Sequence, residues 1–175
     1  DMNKESIKRL VLAGVFIALG ILLPFVTAGI PSIGSRLLPM HIPVLISGFV
    51  GGGTIGLLVG VITPILRSFI FTMPPMYPTA VAMAFELGAY GLATGILYKV
   101  LPKKRLSVYM ALILSMGFGR VVWGLVQVVL LGLGGGTFTW QMFIAGSFIN
   151  AIPGIIIQII LIPILINSLE RSDLI

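Results

Sequence analysis

TPILRSFIFTMPPMYPTAVAMAFELGAY, residues Thr63–Tyr90, decides how this chain is read. Two apolar runs flank a segment holding Pro74, Pro75 and Pro78. Proline removes an amide donor and fixes the backbone, so Thr72–Pro78 predicts a loop and the flanking runs predict two helices, one on each side. Arg67 lies in the first run and Glu86 in the second, and Glu86 is the only acidic residue between the two ends of the chain. A charge inside an apolar helix is costly in lipid and faces a cavity or another charge. Arg67 falls about 8 Å from the outer end of its helix at 1.5 Å per residue, so snorkelling to the interface is an equal reading for it. Glu86 falls roughly 10 Å below the outer end, with Thr79, Met83 and Tyr90 on its face. Two roles are open to it: an ion pair with Arg67 or Arg120, or acceptance of hydrogen bonds from a ligand.

Composition generalises this reading to the whole chain. Of 175 residues, 58% are hydrophobic and 9% charged, against about a quarter charged in an average soluble domain. Apolar runs near the roughly 20 residues needed to cross a hydrocarbon core recur throughout and leave no room for a soluble domain, so residues 1–175 are expected to form one integral membrane domain. The net charge is +6, but the basic residues sit at predicted helix ends, which fits membrane topology and not a nucleic-acid partner. The chain has no cysteine and one histidine, so it offers neither disulfides nor a zinc or haem ligand set, and no cofactor is expected.

Six spans are expected, at about 9–26, 40–50, 54–71, 79–99, 108–131 and 140–166. Lys4, Lys8 and Arg9 before the first run look like the start of a secretory signal, yet the run continues to Val26 with no small-residue cleavage site and is read as a retained span. The basic flank, together with Lys103, Lys104 and Arg105 after the fourth span, puts both chain ends in the cytoplasm. Gly14 and Ala18 form a small-xxx-small pair that either packs within the bundle or docks a separate membrane partner. Thr27–Pro39 reads as an external loop. In the third span Gly56, Gly60, Thr63 and Arg67 share one face.

Arg120 is placed near the bilayer midplane, where snorkelling is hardest, with Trp123, Gly124 and Gln127 at i+3, i+4 and i+7 on its face. In the sixth span Gly146, Asn150, Gly154 and Gln158 recur every fourth residue. Asn150 either holds helices together or lines a pocket. All these polar groups except Gln158 fall in the outer half or at the midplane, an arrangement that fits a solute pocket open to the outside better than a channel. Enzyme signatures are missing: there is no metal-binding His/Glu helix, nucleophile elbow, phosphate loop or carboxylate pair. Without an ATP site or a recognisable inverted repeat the chain is expected to need a partner to drive transport. A self-sufficient secondary carrier is the alternative, and it predicts uptake under an ion gradient alone.

The six-span layout, LAGVFIALG in the first span, LLPMHIPVLISGFVGGG (Leu37–Gly53), and TPILRSF with MPPMYPTAVAMAFELGAYG up to Gly91 resemble the substrate-binding S components of the energy-coupling factor (ECF) vitamin transporters, in the group with riboflavin, folate and pantothenate members. The resemblance implies a vitamin or precursor bound near the external face of a prokaryotic plasma-membrane protein. It also implies docking through Gly14 and Ala18 onto a membrane coupling (T) subunit driven by two ATPases. Arg67, Arg120 and His41 outnumber Glu86, and an anionic carboxylate welcomes an arginine, so pantothenate is the leading ligand. Glu86 with Tyr77, Tyr90 and Trp123 would instead suit a nitrogen heterocycle such as pyridoxine or hydroxymethylpyrimidine.

Overall fold

The structure, a computed structural model, describes residues 3–27 and 38–172. Most of the external loop expected over Thr27–Pro39 lies outside the described residues. Among those described the chain is entirely helical: α1 (Lys4–Thr27), α2 (His41–Gly51), α3 (Gly53–Phe71), α4 (Val81–Val100), α5 (Arg105–Leu133), α6 (Trp140–Ile149) and α7 (Ile152–Arg171). Five are long and apolar enough to cross a membrane: α1, α3, α4 with the turn before it, α5 and α7. α2 and α6 are shorter apolar helices, so in place of the six expected spans, the second of them short, stand five long helices and two short ones.

Glycine decides how α2, α3 and α4 meet. A Cβ on Gly56 would stand 2.2 Å from the Gly91 carbonyl oxygen, and one on Gly60 2.2 Å from that of Leu87. The two backbones therefore touch, which only glycine allows. On α2, a Cβ on Gly48 would overlap Thr94 Oγ1 at 1.9 Å, and that hydroxyl spans the same junction, donating to Gly91 O at 3.1 Å and reaching Leu45 O at 3.3 Å. Pro43 sits in the first turn of α2, where its missing amide is not needed, so it does not bend the helix. Gly52, at φ +91°, turns the chain from α2 straight into α3.

The face predicted on α3 splits between two neighbours. Gly56 and Gly60 serve α4, while Thr63 packs on Gly20 of α1 and Arg67 reaches the Ile21 carbonyl of α1. α1 otherwise stands at the edge, burying only Ala13 and Gly20. α5 closes on α4 where Gly119 leaves room for the Tyr90 ring.

Two segments depart from the helix–loop pattern read from sequence. The proline segment is already turning at Met76–Ala80, interrupted at Tyr77, whose extended backbone (φ −121°, ψ 130°) is what a following proline imposes. The single span expected over 140–166 is two helices. Pro153 has no amide, and its ring excludes a helical carbonyl at residue 149. The last turn of α6, Ala145–Ile149, is wide, with Asn150 N–H donating five residues back to Ala145 O at 2.9 Å. The chain breaks at Asn150–Ala151 and restarts as α7.

Candidate functional site

Glu86 and Tyr90 are one turn apart on α4 and so share a face. His41 opens α2 beside them, and Arg120 faces them from α5. The four are 2%, 1%, 4% and 6% exposed, respectively, which makes this the buried ionic centre of the described bundle. Glu86 Oε1 lies 2.6 Å from His41 Nε2, a hydrogen bond, and Oε2 lies 3.7 Å from Arg120 Nη1, an ion pair too long for one. The Tyr90 ring is the floor between them. The His41 ring is tilted against it at 5.4 Å, and the Arg120 guanidinium sits 5.8 Å from its centre.

Glu86 does not satisfy its neighbours. Arg120 Nε and Nη2 and His41 Nδ1 are buried and make no hydrogen bond within the protein. A guanidinium presents its donors as a planar fork matched to a carboxylate edge, and here the Nε–Nη2 edge is the free one. Arg120 borders a cavity of about 240 Å³ together with Ser147 and the apolar side chains of Met116, Phe148, Ile155 and Ile159. Farther along α5, an apolar recess of about 420 Å³ lies against α6, walled by Gly124, Val128, Phe138, Trp140 and Phe143.

The remaining predicted residues fall at graded distances from this centre. Trp123 is half-buried and held edge-on to Phe138 at 5.4 Å and near-parallel to Phe143 at 6.4 Å, with Gly146 against its ring. Gln127, one turn on, is half-buried, and its Oε1 has no partner. Tyr77 is largely exposed, its hydroxyl donating to Leu130 O at the end of α5.

Two predicted residues stand apart. Arg67 donates to the backbone oxygens of Ile21 and Met73 and lies 4.9 Å from the Phe25 ring. It ties α1 to the end of α3 and does not form the ion pair with Glu86 that the sequence left open. Asn150, expected deep in a span, is exposed at the helix break.

The residue missed by sequence reasoning is Ser147, wholly buried with an unpartnered Oγ. Its signal was hidden because the wide turn inserts a residue and rotates the face that the fourfold spacing of Gly146 and Asn150 had defined. Gln158 and Gly154, beyond the break, are buried. Gly14 and Ala18 are exposed, with no atom within 4 Å of where a Gly14 Cβ would stand. The described residues contain no cluster of three metal-ligating side chains.

These features define a class: a helical integral membrane protein in which His41, Glu86 and Arg120 gather into one buried centre beside a cavity. Within that class, the family model for the substrate-specific component of ECF transporters matches residues 8–166, and the chain belongs to that family. No curated protein and no solved structure gives a match. Members of the family are the substrate-binding proteins of transporters and not enzymes. Membership implies a small-molecule substrate and a module containing a T subunit and ATPases.

Proposed function

We propose that this chain captures a small water-soluble vitamin bearing a carboxylate, pantothenate in the first instance, and holds its anionic end at Arg120. The observation that carries the reading is the Arg120 fork: Nε and Nη2 are buried, unpartnered and beside a cavity. A charged donor left without an acceptor in a low-dielectric site is expensive, and a ligand carboxylate relieves that cost with two parallel hydrogen bonds. A nitrogen heterocycle is less well supported, because both Glu86 oxygens already have internal partners, Oε1 the His41 ring and Oε2 the Arg120 guanidinium. Trp123 and Gln127 extend the site outward along α5, and Tyr77 closes its outer end.

In this reading α2 completes six crossings in a plasma membrane, with both chain ends cytoplasmic. Gly14 and Ala18, exposed on the otherwise apolar outer face of α1, form the docking stripe for the T subunit. The isolated chain binds its vitamin, and concentrative uptake requires the ATPase module.

Titration calorimetry on the purified protein tests the ligand. Arg120→Ala is expected to weaken pantothenate binding by about 100-fold or more, the order found when one partner of a buried charge pair is truncated, and Arg120→Lys by about tenfold because the fork geometry is lost. Unchanged affinity in a folded Arg120→Ala protein would sink the reading. Mass spectrometry of small molecules released from the purified wild type gives an independent identification of the cargo.

A further inference from the structure

We propose that Ser147 is a specificity-determining residue that donates a third hydrogen bond to the ligand's carboxylate, across the cavity from Arg120, and that the wide turn Ala145–Ile149 aims it there. The inference rests on the reading of Arg120 as the anion seat.

A serine or threonine inside a helix ordinarily donates back to a carbonyl of its own preceding turn. Three buried hydroxyls obey the rule: Ser47 donates to Val44 O at 2.6 Å, Thr63 to Val59 O at 2.6 Å and Thr94 to Gly91 O at 3.1 Å. Ser147 is as buried as any of them, yet its Oγ donates to nothing. It borders the same cavity as the unpartnered Arg120 edge. Ser115 Oγ, like Ser147 Oγ, has no partner, but Ser115 does not border the cavity that Arg120 lines. Two unsatisfied donor groups on different helices, belonging to residues that line one cavity, call for one acceptor group with several lone pairs. A carboxylate has about four such positions, enough for the arginine fork and a hydroxyl together.

The rest of the site narrows the ligand class. Met116, Phe148, Ile155 and Ile159 make the other walls apolar, which suits an aliphatic group next to the carboxylate. Glu86, 3.7 Å from Arg120, repels a second negative charge. The seat therefore selects a monoanionic aliphatic carboxylate over a phosphate dianion and over a neutral alcohol or amide.

Calorimetry with pantothenate and with its alcohol analogue, in which CH2OH replaces the carboxylate, tests this on the full chain. Ser147→Ala is expected to weaken pantothenate about tenfold, as for loss of a hydrogen bond to a charged group, and to change affinity for the alcohol analogue less than about threefold. Ser115→Ala, which removes a buried hydroxyl away from the cavity, and Asn150→Ala should leave both unchanged. As a check independent of folding losses in Ser147→Ala, Ser147→Cys provides the only thiol in this cysteine-free chain. Bound pantothenate should protect it from a small methanethiosulfonate.

Wild-type pantothenate affinity in a folded Ser147→Ala protein, or labelling of Ser147→Cys that pantothenate does not slow, overturns the proposal while leaving the Arg120 seat standing. If the wild type does not bind pantothenate, or a folded Arg120→Ala protein binds it as well as wild type, the anion-seat reading fails and this inference fails with it.

Discussion

At the scale of single residues, Glu86 carries two opposing duties. It neutralises Arg120 and accepts from His41, so its loss leaves a buried cation uncompensated, a defect worth roughly 3–5 kcal/mol. Yet it also stands beside the proposed carboxylate seat as a like charge. Glu86→Gln is therefore expected to lower the melting temperature while tightening pantothenate binding about threefold or more, and Glu86→Ala to lower it further. Thermal unfolding and calorimetry on the same preparations check both arms. Weaker ligand binding in Glu86→Gln would mean that this carboxylate itself receives the ligand, as the heterocycle reading requires. The charges of the site were legible in sequence because lipid makes an intramembrane ion conspicuous: His41, Glu86, Tyr90 and Arg120 were all singled out and meet at one place. Arg67 was equally conspicuous but has a local solution, the carbonyls of Ile21 and Met73, which no spacing rule reveals. Ser147 was invisible because a lone hydroxyl in an apolar run usually satisfies itself on the helix backbone.

Helices were the easiest elements to read, since apolar length marks them, and the hardest errors came where a helix changes its own pitch. One extra residue in Ala145–Ile149 turned Asn150 out and Ser147 in, and Pro153 cut the last span in two. Small residues were legible as seams but not as to which partner they meet. The structure separates two kinds. Gly56 and Gly91 lie backbone to backbone, where an added Cβ comes within 2.2 Å or less of a carbonyl oxygen, whereas Gly14 faces open space. Gly56→Val must push α3 from α4 and should unfold the protein at a markedly lower temperature, an overpacking cost of about 1–3 kcal/mol or more. Gly14→Val should leave the melting temperature within a degree or two of wild type, and, in the proposed docking role, should reduce recovery of a complex with the T subunit. Thermal unfolding in detergent and co-purification separate the two outcomes. A Gly14→Val protein that is destabilised as much as Gly56→Val would show that α1 packs inside the bundle after all.

For the molecule as a whole, the absence of cysteine turns topology into a direct measurement. The proposed orientation puts the basic segment after α4, where Lys103 and Lys104 lie, in the cytoplasm and the glycine-rich segment after α5 outside, because basic loops are retained on the cytoplasmic side. The same orientation sets the working direction of the site. Arg120 is 15 residues into the 29-residue α5, about 22 Å from its cytoplasmic start at 1.5 Å per residue. Glu86 is about 8 Å into α4 from its outer start by the same measure. Arg120 is thus at mid-helix, while Glu86 and His41, the latter at the start of α2, lie toward the outer ends, so the centre reaches from the midplane toward the outside, as capture from outside requires. Lys104→Cys should react with a membrane-impermeant maleimide only in inside-out vesicles, and Gly135→Cys only in intact cells or right-side-out vesicles. Reversed labelling would turn the ionic centre toward the cytoplasmic face, a geometry suited to release and not to capture, and the assignment of this chain as an importer's receptor would have to be abandoned even if Arg120 and Ser147 bind a carboxylate as proposed.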